Sequence, residues 1–278
     1  MTAVDASYAY CCRIARSRAK NFYYSFVLLS KPQKNAMCAV YAFMRFCDDL
    51  SDEPGAKAAS VERWRGELSE ALNGRYSDHP VWPGFHDAVQ RYAIPHAYFF
   101  DMIDGVLSDF GLRHIETFAQ LYDYCYKVAS VAGLATIHIF GFRDPQALIM
   151  AEKCGIAFQL TNILRDVRED AENGRVYLPA DDLASFGVTS ADLLTTVPSA
   201  AFRSLMTYEA DRARAYYNES RPLLNLVDRR SRSSLWALIT IYSRLLDRIR
   251  ACNFDVLSQR VSLTGFEKSW IVLRALAR

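Results

Sequence analysis

The stretch GIAFQLTNILRDVREDAENGRVYLP, residues 155–179, sets a row of polar oxygens into an otherwise apolar helical pattern. At 100° per residue, Gln159, Asn162, Asp166 and Asp170 fall within about an 80° sector of one helix. Asp144-Pro145 supplies an N-cap and a proline at the first helical position, so the helix is expected to run from there to about Asp170. Hard oxygen donors one or two turns apart suit Mg²⁺, which takes one or two carboxylates and keeps water or phosphate oxygens as its other ligands.

A second stretch, FCDDLSDE (residues 46–53), poses the same problem: three aspartates within five residues close a helix that opens at Pro32 and is expected to run to about Leu50. Tyr41, Arg45, Asp48, Asp49 and Asp52 share about a 100° sector, beside the apolar Met37, Val40, Phe43 and Met44. Acidic residues near a helix C-terminus oppose the macrodipole, and a bound cation offsets that. A lone acidic cluster most often marks a solvated helix end. Two matching stripes flanked by apolar residues repel themselves apart unless cations or arginines compensate, so the pair reads as a metal and diphosphate site. Arg45 and Arg165 add fixed positive charge beside the stripes, as anchors for phosphate.

The rest of the chain is helical in pattern. With 278 residues, 51% of them apolar, it is long enough to bury a substantial core, and the reading is one all-α domain. Helices are expected near 5–18, 60–73, 82–92, 95–111, 116–141, 199–226 and 231–251. A capping box of Thr264 with Glu267 opens a last one to about Arg278. Segment 171–198, rich in Gly, Asn and Pro, reads as a loop-rich excursion. The 33 basic and 31 acidic residues are interspersed, which argues against a nucleic-acid partner. The first residues lack a secretory pattern, and the run 128–142 is short for a membrane span. Seven cysteines without CxxC spacing argue against a disulfide framework and for a reducing, cytoplasmic location.

With both stripes in hand, the chain resembles the squalene/phytoene synthase family, the head-to-head prenyl transferases. The resemblance rests on AKNFYYSF (19–26), YAFMRFCDDLSDE (41–53), YCYKVASVAG (124–133), FQLTNILRDVREDAENGRVYLP (158–179) and NFDVLSQRVSL (253–263). The opening and the tail look most like the bacterial presqualene diphosphate synthases of the hopanoid pathway. The resemblance implies an isoprenoid-synthase-type helical bundle around a central apolar cavity. It implies that Asp48, Asp52, Asn162, Asp166 and Asp170 hold two or three Mg²⁺ ions bridging to substrate diphosphates, with Arg45, Gln159 and Arg165 on those diphosphates. Tyr41, Tyr124 and Tyr177 match positions at the reaction centre, and Phe22 and Phe26 positions along the prenyl channel. Arg18, Tyr242 and Arg260 are looser matches. The family usually has Ser at Asn21 and Gly at Ser130, the latter bearing on how closely helix 116–141 approaches substrate.

The chemistry implied is ionisation of an allylic diphosphate inside a dry tunnel, with Phe22, Phe26, Val128, Val131 and Leu160 as candidate walls. Aromatic faces stabilise a passing carbocation by about 1–2 kcal/mol each. Tyr124, Tyr177 and the departing diphosphate are candidate proton acceptors, and His138 reads as a core residue. The leading expectation is condensation of two farnesyl diphosphates to presqualene diphosphate. Its alternatives are an NADPH-dependent squalene synthase, a phytoene synthase using geranylgeranyl diphosphate, and a non-catalytic assembly factor. Asp101 and Asp104 are expected to face solvent or pair with arginines. The Gly174 loop, with Arg175 and Tyr177, is a candidate closure over diphosphate. In the last helix Phe266, Trp270 and Leu273 share a side; core docking is the favoured reading, with peripheral contact at the inner face of a membrane and with downstream pathway enzymes as the alternative.

Overall fold

The structure is a computed structural model that describes residues 2–19, 22–52, 57–111 and 114–277, the side chain of Asp52 excepted. Asn21, the Asp52 side chain and Arg278 therefore lie outside the described residues. Among the described residues fourteen α-helices follow one another: α1 (Ala3–Arg18), α2 (Tyr23–Phe26), α3 (Lys31–Asp52), α4 (Ala58–Leu72), α5 (Trp82–Arg91), α6 (Ala97–Ser108) and α7 (Phe118–Cys125). After a π-turn (Tyr126–Ser130) come α8 (Val131–Phe140), α9 (Gln146–Glu172), α10 (Ala180–Ser185), α11 (Ala200–Glu219), α12 (Leu223–Leu226), α13 (Arg232–Ala251) and α14 (Gly265–Leu276). Among the described residues the only β pairing is two isolated bridges, His114 with Val176 and Phe142 with Val227.

The helix starts obey local chemistry. Asp144 Oδ1 accepts from Gln146 N at 2.9 Å, and Thr264 and Glu267 close the expected capping box. Thr2, Thr117 and Ser199 cap α1, α7 and α11 in the same manner. Two expected helices are interrupted. The 199–226 segment stops at Glu219 because Pro222 lacks an N–H and crowds the preceding turn. The 116–141 segment is broken by the π-turn, whose extra residue per turn shifts the face that the following helix presents.

Helices α3 and α9 organise two apolar cores. Around α3, Phe43 stacks on Phe85 at 4.6 Å and Phe85 meets Phe99 edge-on at 4.7 Å, with Trp64 and Trp82 completing the cluster. Around the second half of α9, Ile156, Leu160, Ile163 and Leu164 pack with Phe202, Leu205, Ile241 and Ile271 from α11, α13 and α14. Phe22 and Phe158 pack against both cores and mark where they meet.

What fixes that junction is close backbone approach. A Cβ on Gly155 of α9 would lie 2.5 Å from Ser130 Cα and 2.9 Å from Ser130 N. On the other side of the π-turn, a Cβ on Gly105 of α6 would meet Lys127 Cβ and Val128 Cγ1 at 2.9 Å. Ser130 is fully buried and its hydroxyl donates to Glu152 O at 2.9 Å, so the serine ties the π-turn to α9.

A charged cluster is buried behind α9. Glu209, 1% exposed, accepts from Arg212, which also donates to Asp182 Oδ2 at 2.8 Å and lies over the Phe118 ring. The one guanidinium is shared with the half-buried Asp182, and burial, helped by Asp182, pushes Glu209 from 4.5 up to about 8 despite Arg212.

Two predictions follow from this packing. Gly155→Ala is expected to cost about 1–3 kcal/mol of stability by overpacking, read as a lowered midpoint in denaturant. Adding Ser130→Gly will not restore it, because the clash is with backbone; a Gly155→Ala protein of unchanged midpoint would show that the approach is not tight. For Glu209, a pKa raised on folding gives stability that is complete below about pH 4.5 and is lost as pH climbs through about 8. Calorimetric melting should fall over that window in the native chain and fall less in Glu209→Gln; parallel profiles would refute the raised Glu209 pKa.

Candidate active site

Where the two cores meet, a cavity of about 650 Å³ opens. Arg18, Tyr41, Arg45 and Asp48 reach it from α1 and α3, Gln159, Asn162 and Arg165 from α9, and Arg260 from the tail after α13. Behind this charged mouth the walls are apolar: Phe22 and Phe26 near α2, Met37 and Val40 on α3, Val128 and Ala132 beyond α7, and Leu238 and Leu245 on α13. An aromatic chain runs along one wall, with Tyr41 and Phe22 at 6.3 Å, Phe22 and Tyr242 at 5.4 Å, and Tyr242 stacked on Phe158 at 4.4 Å.

Arginines hold the carboxylates at the mouth. Asp49 pairs with both Arg18 and Arg45. Asp166 accepts from Arg165 Nε at 2.8 Å and is ion-paired with Arg260 Nε at 3.1 Å, and Arg260 Nη1 also reaches Glu169 at 3.2 Å. The tail reaches α9 because the chain reverses at Asn253 and Phe254, at φ of 54° and 58°, and Leu257 O accepts from Arg168 at 2.7 Å. One turn further along α9, burial first and then the neighbouring Asp166 and Glu169 push Asp170 up to about 7. Tyr41 is pushed up to about 12, chiefly by burial, so its phenol stays neutral in the cavity.

Among the described residues no three carboxylate, histidine or cysteine side chains converge into a metal cage. Among the described residues that line the cavity, two buried polar atoms lack a hydrogen-bond partner: Asn162 Oδ1 on the α9 wall, an acceptor, and Arg45 Nε on the α3 wall, a donor. An orphan acceptor beside carboxylates suits a hard cation, and an orphan guanidinium N–H suits a phosphate oxygen. The donor set therefore fits a divalent ion that takes most of its ligands from water and substrate.

Most of the residues expected from the sequence converge, and some lie elsewhere. Arg18, Phe22, Phe26, Tyr41, Arg45, Asp48, Val128, Gln159, Asn162, Arg165, Tyr242 and Arg260 line the cavity. Asp166 sits at its edge through Arg165 and Arg260, with Asp170 one turn beyond. Tyr124 and Tyr177 stack on each other at 4.8 Å, and Tyr177 donates to Asp109 at 3.1 Å; they line no part of the cavity, and burial raises both phenols. Val131 and Leu160 are corrections: neither lines the cavity, and each is buried in its core. Leu160 is opposite Phe158 in helical phase, and the π-turn brings Val128, Ala129 and Ala132 to the wall in place of Val131. His138 is kept neutral by burial and meets Phe142 edge-on, away from the cavity. Asp104 pairs with Arg65, as an arginine-pairing face requires. Arg175 N donates to Asp170 O at 2.9 Å, which seats the Gly174 loop against the end of α9.

Phe158 and Lys268 are among the cavity residues that the sequence reading missed. Phe158 shares a face with Asn162 and Arg165 at i, i+4 and i+7, so phase alone could have found it. Lys268 reaches the cavity from α14, and nothing in its local pattern says so.

Comparison with known proteins decides the family. The squalene/phytoene synthase profile matches residues 15–267. The chain belongs to the squalene/phytoene synthase family. The phytoene synthase of Mycobacterium tuberculosis is 36% identical over 283 residues, covering 100% of this chain and 93% of that protein. The phytoene synthase of Arthrospira platensis is 34% identical, over 94% of this chain and 90% of its own length. A dehydrosqualene synthase crystal structure superposes with a TM-score of 0.93 at 30% identity, covering 99% and 96% of the two chains. The squalene synthase HpnC from Alicyclobacillus acidocaldarius gives 0.83 at 26% identity, over 91% and 99%. As a family member the chain is a prenyl transferase with the all-α fold of these enzymes, which use divalent metal in ionising diphosphates.

The orphan acceptor yields a separable test. Asn162→Leu removes a buried unsatisfied oxygen, so its melting temperature should hold or rise, while turnover falls by about a hundredfold or more. A variant that keeps turnover within a few-fold of the native chain would remove Asn162 from the metal and diphosphate site.

Proposed function

We propose that this squalene/phytoene synthase joins two farnesyl diphosphates head-to-head to give presqualene diphosphate, with Mg²⁺ as its metal. The observation that carries the reading is the cavity itself, in which two polar helix faces meet at one mouth and an aromatic, otherwise apolar space lies behind them. Asp48 from α3 and Asn162, with Asp166 and Asp170 beyond it, from α9 would hold Mg²⁺; the Asp52 side chain, expected to join them, lies outside the described residues. When bound, the metal neutralises the leaving diphosphate and lowers the barrier to breaking its allylic C–O bond.

The protein's own groups do the rest. Arg18, Arg45, Arg165 and Arg260 orient the two diphosphates at the mouth, exchanging their carboxylate partners for phosphate oxygens. The apolar walls exclude water from the allylic cation. Phe22, Tyr41, Phe158 and Tyr242 present ring faces to it, worth about 1–2 kcal/mol each when desolvated. The double bond of the second substrate forms the new C–C bond, and loss of a proton closes the cyclopropane while that substrate keeps its own diphosphate. With Tyr41 held neutral, the departing diphosphate is the proton acceptor at hand.

A second reading, condensation of two geranylgeranyl diphosphates to phytoene, is favoured by the phytoene synthases at 34–36% identity. Mass spectrometry after incubating the purified protein with Mg²⁺ and each diphosphate, with and without NADPH, separates the outcomes. Presqualene diphosphate made from farnesyl diphosphate whether or not NADPH is present is expected, and chelation of Mg²⁺ should abolish it. Consumption of geranylgeranyl diphosphate alone would transfer the assignment to phytoene, and NADPH-dependent squalene would transfer it to a full squalene synthase.

A further inference from the structure

The last helix has two apolar sides, and its core uses one. Ile271 and Ala275 of α14 are fully buried against α13, which satisfies the helix's role in the fold. Phe266, Trp270, Leu273 and Leu276, at i, i+4, i+7 and i+10, form a separate stripe that is 80%, 50%, 58% and 67% exposed. Core docking, the favoured reading of the sequence for Phe266, Trp270 and Leu273, is therefore not what these side chains do. From the α2 end, against which α14 also packs, Val27 adds a further exposed apolar side chain.

We propose that the exposed stripe of α14 is a docking surface for an anionic lipid bilayer. Charge favours that occupant. Beside the stripe stand two cations, Arg274 and, from α13, Arg248, against one carboxylate, Glu267, and that carboxylate caps Thr264 and pairs with Arg248. An apolar stripe containing tryptophan with a net positive border matches the boundary between acyl chains and anionic headgroups. Area disfavours a second copy of the chain. Four side chains of these sizes expose on the order of 500 Å², short of the roughly 800 Å² that each partner commits to a stable dimer. Location gives the surface a use: Leu263, just before α14, and Lys268 on it both line the cavity, so docking there sets the cavity wall against a reservoir of apolar chains.

The test is co-flotation of the purified chain with vesicles of phosphatidylcholine, alone or mixed with phosphatidylglycerol, comparing the native protein with Phe266→Ser/Trp270→Ser/Leu273→Ser. The native chain should float with the mixed vesicles, and the triple variant should lose at least about tenfold in partitioning. Arg274→Ala should lose about fivefold on mixed vesicles only. Since the altered side chains are exposed, melting temperature and turnover of detergent-dispersed substrate should match the native values, which separates a lipid surface from a damaged fold. Failure of the native chain to float, or equal flotation of the triple variant, overturns the proposal. So does a lipid-free dimer that the triple variant converts to monomer, which assigns the stripe to a second copy.

Discussion

The contact of Gly155 with the backbone of Ser130 is the constraint on which the rest of the site depends. With no Cβ between them, α9 lies against the π-turn, and the face of α9 that carries Phe158, Gln159, Asn162 and Arg165 is turned into the cavity. Gly105 presses on the same turn from α6, so the turn is clamped between two helices that each gave up a side chain to reach it. The extra residue in the turn then aims Val128, Ala129 and Ala132 at the space the two cores enclose. The buried Ser130 fits because its hydroxyl donates to Glu152 O.

The charges of the mouth obey a second constraint. Carboxylates set among apolar side chains need counter-charge, and in the free protein arginines provide it: Arg18 and Arg45 for Asp49, Arg165 and Arg260 for Asp166. Asp170, whose arginine neighbours offset burial only in part, is pushed up to about 7. The orphan Asn162 Oδ1 and Arg45 Nε sit on opposite walls of this balanced arrangement. On the proposed function, a cation and a diphosphate arriving together would satisfy one each, and the arginines released from carboxylates would meet the phosphate oxygens.

The architecture was legible wherever periodicity and chemistry agreed. Helices α3 and α9 were readable because apolar and acidic residues repeat in one helical phase over many turns, and their caps are local events. The π-turn was not readable, since YKVAS differs from ordinary helix in backbone pairing and not in composition. Val131 was misassigned for that reason, and Leu160 was misassigned by nearness in sequence where phase was the deciding quantity. The approach of Arg260 to Asp166 depends on a reversal at Asn253 and Phe254, both at positive φ; Asn253 is a residue that tolerates that region, but Phe254 is not, and nothing in the local pattern says where the reversed chain goes. In α14 the capping box was plain, but a helix apolar on two sides does not say which side faces the core; that is settled by packing against α13, which the segment's own pattern does not contain.

The division between a charged mouth and an aromatic interior also constrains how the reaction disposes of its proton. A base with a lowered pKa inside the cavity would be an anion facing an allylic cation, and it would trap that cation as an ester or ether. The cavity wall avoids this. Its phenol at Tyr41 is held neutral by burial, and His138 is turned away against Phe142. Negative charge is thus confined to the mouth, where the arginines and the leaving group are. The ring faces of Phe22, Phe158 and Tyr242 can attract positive charge without forming a bond to it. A cation confined between those rings and its own departed diphosphate has two outcomes available, recombination or capture by a neighbouring double bond, and the shape of the aromatic wall decides between them.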